Sequence, residues 1–309
     1  MNMHRTVLLN ETIEDLNLKP DSTVIDCTFG GGGHSLEIYK RFGNVKIIAL
    51  DQDKSVFSTQ GGSASDWKNC NISFVNENFR NIDKVLTKEN IGQVDGIIFD
   101  LGLSSDQLEN SGRGFSFLKD EPLLMTMKEN PTSEDLTARD AVNIWSEKSL
   151  ADVIYGYGEE KQAHRIAHEI VEFRKKQKIE TTFDLVKIIE QAIPARFRRG
   201  KIPRKIHCAT KTFQALRIAV NDELGALSEG LDKGFDSLKV GGRMSVISFH
   251  SLEDRIVKRF FSAKGGSASD GKEHRIAKII TKKPIRATLE EIKSNPRSRS
   301  AKLRILEKI

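Results

Sequence analysis

Four short apolar runs, each ending in or beside an acid and spaced about one helix apart, constrain this chain more than any other feature. Val24-Ile25 leads to Asp26, and Val45-Lys46-Ile47-Ile48-Ala49-Leu50 ends at Asp51. Ile72-Ser73-Phe74-Val75 ends near Glu77, and the run from Val94 to Phe99 ends at Asp100. Nearly continuous apolar runs of this length read as parallel strands buried on both faces. Right-handed crossovers then wind the chain into an α/β, Rossmann-like sheet, whose ligands bind at the carboxyl ends of the strands.

The rhythm breaks after Asp100. From about Phe115 to Arg204 the period is helical and strand signal is scarce. Ser133-Glu134-Asp135 is expected to open one helix, with an N-cap and first-turn acids. Ala163, Ile166, Ala167, Ile170 and Phe173 form the apolar stripe of another, and Thr182 is expected to cap a third. A long helix from about Thr210 to Leu238 precedes a returning strand at Arg243–Phe249, after the turn Gly241-Gly242. Ile276–Ile280 and Lys302–Leu306 are expected to close the sheet as a hairpin pair. The expected domains are 1–114 and 206–309 for the sheet, with a helical insertion over 115–205.

The hexapeptide Gly-Gly-Ser-Ala-Ser-Asp occurs at Gly61–Asp66 and again at Gly265–Asp270. Both copies read as loops or linkers. Two identical copies point to replaced or engineered loops, and no function is assigned to them.

Three widely spaced cysteines (Cys27, Cys70, Cys208) argue against a disulfide framework and against a cysteine zinc site. His164 and His168 share a helix face, but without the H-E-x-x-H glutamate they make no metal site, and none is expected. No run approaches the roughly 20 apolar residues that span a bilayer, and Thr6–Leu9 is too short for a signal-peptide core. A cytoplasmic protein with no membrane partner is expected.

Asp26-Cys27-Thr28-Phe29-Gly30-Gly31-Gly32-Gly33-His34 falls at a strand-to-helix junction, where glycines let backbone amides approach a ligand. Asp51, ending the next strand, stands where an acid accepts hydrogen bonds from a ribose diol. NAD, FAD and S-adenosylmethionine sites all use this pair. Asp26 favours the last, because a carboxylate beside the loop suits a cationic amino-acid end and repels a pyrophosphate. Asp100-Leu101-Gly102-Leu103-Ser104-Ser105-Asp106-Gln107 supplies groups for a polar pocket, with an N-cap by Ser104 or Ser105 as the plainer reading.

Arg113, Phe115 and Phe117 can stack on an unpaired base and hold its phosphate, or pack inside the insertion. Between Gln191 and Asn221 there is no acid, while Arg196, Arg198, Arg199, Lys201, Arg204, Lys205, Lys211 and Arg217 are all basic. Arg297 and Arg299 sit in a second basic stretch, Asn295–Arg304. Such clusters suit a polyanion, RNA in particular.

Taken in order, these segments resemble the bacterial 16S rRNA (cytosine-N4)-methyltransferase family across essentially the whole chain. The matching stretches are His4–Glu11, Asp26–His34, Leu50–Asp53, Phe99–Ser105, Gln107-Leu108, Arg113–Phe117, Ala209–Ile218, Val246–Asp254 and Asn295–Arg304. The resemblance implies a class I methyltransferase sheet interrupted by an inserted all-helical domain, with S-adenosyl-L-methionine as methyl donor. Its cofactor positions fall on Gly32, Gly33, His34, Asp51, Phe79, Asp100 and Gln107, beside the Asp26 read above. Asp51 is expected on the ribose hydroxyls and Phe79 against the adenine. The implied substrate is the N4 amino group of a cytidine in the decoding region of 16S rRNA, within the small ribosomal subunit. A homodimer is compatible with this.

The chain departs from the family at Pro122-Leu123-Leu124-Met125-Thr126-Met127, where the pattern reads P-L-D-M-R-M. Glu109 stands for aspartate, and Cys208 and Lys211 for proline and arginine. The expected catalytic group is Asp100 or the adjacent backbone carbonyl as acceptor of an amine hydrogen, with Ser104, Ser105 and His250 orienting the base. Two rivals remain at this point. A nicotinamide-dependent oxidoreductase leaves the basic run without a role. A non-catalytic RNA-binding assembly factor leaves the three acids without one.

Overall fold

The computed structural model describes residues 6–59, 67, 70–193, 207–266 and 275–309. The chain divides into two compact units, Met1–Gly102 with Leu224–Ile309, and Leu103–Glu223.

The first unit is a seven-stranded sheet of β1 (Thr23–Asp26), β2 (Lys46–Asp51), β3 (Ile72–Asn76), β4 (Val94–Asp100), β5 (Leu238–Ser248), β6 (Ala277–Ile279) and β7 (Lys302–Lys308). Their order is β3-β2-β1-β4-β5-β7-β6, with β7 antiparallel to both its neighbours and the pairs from β3 to β5 parallel. All four acid-ended runs are strands. Ile47, Ile48, Ala49 and Leu50 of β2 are fully buried, as a strand covered on both faces requires. Phe74 of β3 is half exposed because β3 is an edge.

Helices Glu223–Ser237 and Ser251–Gly265 bring Leu227, Leu231, Phe235, Val257 and Phe261 onto one core, against Ile25, Ile97 and Phe99. Each of these large side chains contributes about 1.5–3 kcal/mol by leaving water. Ile13 and Ile38, from helices Leu9–Asp15 and Gly33–Phe42, share another core with Val24, Ile47 and Ile98. The strand order reverses at β1, between β2 and β4, which opens the crevice for a ligand at their carboxyl ends.

The second unit is helical, with Glu147–Gly158, Ala163–Arg174, Thr182–Ala192 and Thr210–Asn221 as the longest helices among its described residues. Its core holds Leu150, Ile154, Ile166, Ile170, Ile189, Phe213 and Leu216. The boundaries expected at 115 and 205 both lie inside this unit. Helix Thr210–Asn221 belongs here because Phe213 and Leu216 enter this core. Gly158 lets it approach: a Cβ there would stand 2.6 Å from the Lys211 carbonyl oxygen. The long helix expected over Thr210–Leu238 is therefore two. It breaks at Asp222, whose left-handed φ of 46° ends the first segment.

Two helix starts also differ. Ser133-Glu134-Asp135 opens no helix, because Asp135 binds back to Thr132, and the helix starts at Ala138 under a Thr137 cap. Thr181, not Thr182, caps Thr182–Ala192, in a capping box with Asp184. The Thr182 hydroxyl donates instead to the Lys119 carbonyl.

The strand expected from Arg243 starts at Leu238 and runs through Gly241 with a register shift against β4. Of the two hexapeptides, only Gly265 and Gly266 lie within the described residues. Cys27, Cys70 and Cys208 form no disulfide. Among the described residues no helix is long and apolar enough to cross a membrane.

Candidate active site

Asp26, Asp51 and Asp100 are the last residues of β1, β2 and β4, three adjacent strands, so the sheet itself sets their carboxyl groups along one edge. Between β1 and the next helix runs the glycine loop. Gly30 and Gly32 have φ of 50° and 70°, which L side chains adopt only at a cost. Gly32 is the N-cap of helix Gly33–Phe42, so the amides of its first turn point into the crevice. A Cβ on Gly33 would stand 1.8 Å from Thr6 Oγ1, so the Thr6 side chain lies directly against this glycine.

Each acid has a distinct setting. Asp26 is buried and accepts the Ser35 hydroxyl at 2.7 Å and the Thr28 amide at 3.2 Å. Burial lifts its pKa to about 6 against those two bonds. Asp51 accepts the amides of Gly30 and Asp53, both at 2.9 Å. Burial, with the nearby charges of Asp53 and Asp26, lifts it to about 7 despite these bonds. Asp100 reaches about 7 through burial, then the fields of Asp26 and Glu253. Its Oδ2 lies 3.8 Å from His34 Nδ1, and its Oδ1 is buried with no hydrogen-bond partner among the described residues. A crevice with three mutually repelling acids and one unfilled acceptor suits a cationic ligand and a hydrogen-bond donor, and it repels a pyrophosphate.

Phe79 follows β3 in the short helix Phe79–Asn81. Its ring meets Phe99 edge-on at 5.4 Å, and Gly230 makes room for it, since a Cβ there would stand 2.7 Å from Phe79 Cδ2. His250 is the N-cap of helix Ser251–Gly265, its Nδ1 accepting the Glu253 amide. Its Nε2 stands 3.1 Å from Glu253 Oε1 and is buried with no hydrogen-bond partner among the described residues.

Ser104, Ser105 and Gln107 open the second unit. Ser104 Oγ accepts the Gln107 amide, and Gln107 Oε1 accepts the Ser104 amide, a capping box on helix Ser105–Glu109. The plainer reading of Ser104 is therefore the observed one. The side chain of Ser105 lies outside what the structure describes.

Three expected RNA-contacting residues are committed inside the helical unit. Arg113 is buried, and its guanidinium donates to the carbonyls of Thr126 and Met127 and lies over the Phe115 ring. Phe115 is buried in the helical core. Arg217 makes a paired bond to the Glu223 carboxylate at 2.7 and 2.8 Å. Phe117 is half-buried, stacked on His207 at 4.8 Å and edge-on to Phe213. Lys211 is partly exposed and donates to the Glu159 carbonyl. Arg297 is half-buried and Arg299 exposed. Arg196, Arg198, Arg199, Lys201, Arg204 and Lys205 lie outside the described residues. The departing Leu124–Thr126 stretch is held by Asn221, whose Nδ2 donates to the Met125 carbonyl.

Sequence reasoning passed over three supporting groups. Thr28 Oγ1 accepts the Asp100 amide at 2.6 Å, and Ser35 holds Asp26. Buried Glu253 accepts the amides of Phe249 and His250. The last was findable, since an N-cap followed three residues later by Glu is the capping-box spacing. As to metals, Glu190, His207 and Cys208 bring three ligand atoms within 4.8 Å of one another. His207 Nδ1 accepts the Ala209 amide, and its Nε2 stands 3.8 Å from Glu190 Oε1.

A sheet of this order with only its penultimate strand reversed, built round a glycine loop and edged with acids, is that of a class I S-adenosylmethionine-dependent methyltransferase. The chain belongs to the MraW methylase family, whose sequence model matches residues 1–309. It is similar to the Ribosomal RNA small subunit methyltransferase H of Clostridium botulinum (strain Kyoto / Type A2), at 46% identity over 99% of both chains. The protein of the same name from Clostridioides difficile (strain 630) is 45% identical, again over 99% of both. A solved rRNA methylase from Streptococcus thermophilus is a distant likeness, with 11% identity, a TM-score of 0.42, and coverage of 97% of this chain and 93% of that one.

Proposed function

We propose that this methyltransferase transfers a methyl group from S-adenosylmethionine to the N4 amino group of a cytidine in the decoding region of 16S rRNA. The assembled small ribosomal subunit is the substrate and the cytoplasm the compartment. The reading also admits a homodimer. The near-half identity to relatives named as small-subunit rRNA methyltransferases supports the RNA. The unfilled Asp100 Oδ1 at the crevice supports the chemistry.

On this reading the amides after Gly32, with Gly33 and His34, cradle the amino-acid end of the donor, whose ammonium Asp26 attracts. Asp51 accepts from the ribose hydroxyls, Phe79 lies against the adenine, and Gln107 completes the set. The bound donor supplies a methyl group already activated on a sulfonium, so no covalent intermediate with the protein is needed. The protein's work is positioning and charge. Cytidine N4 is conjugated with its ring, and its lone pair becomes available when one N–H is held out of the ring plane. Asp100, as a carboxylate, accepts that N–H and stabilises positive charge growing on nitrogen. Ser104 and Ser105 are the proposed supports for the base, Ser104 through a hydroxyl whose hydrogen its cap leaves free to donate. The target base must be unpaired or flipped to reach the crevice. The basic residues from Arg196 to Lys205, with Lys211, are the proposed RNA contacts of the helical unit.

The test is incubation with methyl-labelled donor and small subunits lacking the modification, followed by nucleoside analysis. Label in N4-methylcytidine is expected. Label in another nucleoside contradicts the substrate, and no label with competent subunits and demonstrated donor binding contradicts the activity.

A further inference from the structure

The chain's positive charge is concentrated at its end. Residues 255–309 carry sixteen Lys and Arg against five Asp and Glu, a net +11 in a chain whose total is only +6. Several of these cations serve the fold. Lys302 and Arg304 bind Asp254, Lys308 donates to the carbonyls of Phe235 and Asp236, and Lys264 pairs with Asp232. Lys282, Lys283, Arg286, Lys293 and Arg299 are different. All five are exposed, and among the described residues none has an acid within ion-pair distance. The neighbouring Glu291 is turned inward, accepting the Leu8 amide at 2.9 Å, which leaves Glu290 as the exposed acid of that helix.

Strand register places these cations except Lys293, which lies on the short helix Leu289–Ser294. Asp100 is opposite Ile247 of β5, and Ser248, the next residue, is opposite Lys302, where β7 begins. The entry to β7 is therefore at the same sheet edge as Asp100, two strand spacings or about 10 Å away. Arg299, in the short helix Pro296–Ser300, is three residues before that entry. Arg286 follows Ile285, which exchanges both backbone hydrogen bonds with Leu303 at the start of β7. Lys282 and Lys283 lie in the bend between Ile280, whose amide donates to the Ile305 carbonyl, and Ile285. Unpaired cations beside a methyl-accepting edge match the backbone of a bound nucleic acid.

We propose that Lys282, Lys283, Arg286, Lys293 and Arg299 form a phosphate-binding surface that holds the RNA strand flanking the methylated base. This rests on the function proposed above and adds where the substrate's backbone runs on the sheet unit.

The test compares two full-length triple variants with the unaltered chain. One carries Lys282→Gln, Arg286→Gln and Arg299→Gln; the other, on distant exposed positions, Lys40→Gln, Lys84→Gln and Lys88→Gln. Binding of a 16S rRNA fragment is followed by fluorescence anisotropy from 50 to 300 mM salt, together with KM for small subunits and Kd for the methyl donor. Each lost single-strand phosphate contact lowers the salt slope by about 0.7, so the first variant should lose about 2 and bind about tenfold or more weakly at physiological salt. The control should bind as the unaltered chain does, and donor Kd should be unchanged in both. Equal loss in the two variants overturns the surface, as does an unchanged slope. Lysines and a proline beside an outer strand also deter edge pairing between copies, so self-association of the first variant with an unchanged slope would assign them that role instead. Because binding is read without methyl transfer, a chain that binds as expected but makes no N4-methylcytidine loses the functional reading and keeps the surface.

Discussion

The Gly30 amide donates to Asp51 Oδ2 at 2.9 Å, tying the crest of the glycine loop to the acid that ends the neighbouring strand. The loop and the proposed ribose acceptor are thus one structural element, with the Asp53 amide on the other carboxylate oxygen. Asp51→Asn presents an N–H₂ to one of these two amides and removes the charge. Kd for S-adenosylmethionine, measured by calorimetry, is expected to rise roughly 10- to 100-fold, the size of a lost charge-assisted hydrogen bond. A change within twofold contradicts the role given to Asp51.

Stability and cofactor affinity are expected to run in opposite directions with pH. Asp26, Asp51 and Asp100 have folded pKa values of about 6, 7 and 7, all raised from 3.8, chiefly by burial. Between the unfolded and folded values the native state holds protons that the unfolded chain has released. Stability of the ligand-free protein is therefore full below the unfolded value and is lost as pH rises towards 7. Against burial, Asp83 is held low by Lys233, and Asp254 by Arg304 and Lys302, so these acids titrate below this window. The melting temperature should fall from pH 5 to pH 8, less steeply in Asp26→Asn, while affinity for the cationic donor should tighten over the same range. A flat donor affinity contradicts the attraction assigned to the three carboxylates.

Gly33 is packed tightly against Thr6. Gly33→Ala places a methyl group 1.8 Å from Thr6 Oγ1, so the loop or the Thr6 side chain must shift. Donor affinity should weaken about tenfold or more through misplacement of the loop amides. Adding Thr6→Gly, which removes the opposing side chain, should restore part of it. An unchanged donor affinity in Gly33→Ala contradicts the coupling of Thr6 to the loop amides.

Arg113 holds the helical unit together. Its guanidinium donates to Met127 O at 2.8 Å and Thr126 O at 3.4 Å while buried against Phe115. Arg113→Gln should destabilise the protein by about 2–4 kcal/mol, as loss of buried hydrogen bonds from a charged group does. Denaturation read by tryptophan fluorescence should show it. A raised KM for small subunits with unchanged stability would restore Arg113 to RNA contact.

Asp26, Asp51 and Asp100 were legible in the sequence because each closes an apolar run, and a buried parallel strand is one of the few structures such a run can form. The glycine loop was legible for the same reason, since its glycines fall directly after a strand. The start of the helical unit was harder to read. Whether Phe213 and Leu216 face one core or another depends on which helix they meet, and their own spacing is the same in both cases. Arg113 and Arg217 show the same limit: sequence gives their charge, while the carbonyls of Thr126 and Met127 and the carboxylate of Glu223 decide its use. Phe115 was open between stacking and packing, and its burial in the helical core settles it. For His250 the spacing to Glu253 gives the capping box, while the unpartnered Nε2 is visible only in three dimensions.

Asp100→Asn tests the central claim most directly, because it keeps the shape of the group and removes its charge at the proposed N4 acceptor. Single-turnover methyl transfer to small subunits is measured with the donor saturating and its Kd determined separately. A rate lower by about 100-fold or more, with N4-methylcytidine still the product of the residual activity, is the predicted result. Transfer at the unaltered rate would show that the Asp100 carboxylate neither holds the amine nor stabilises its developing charge.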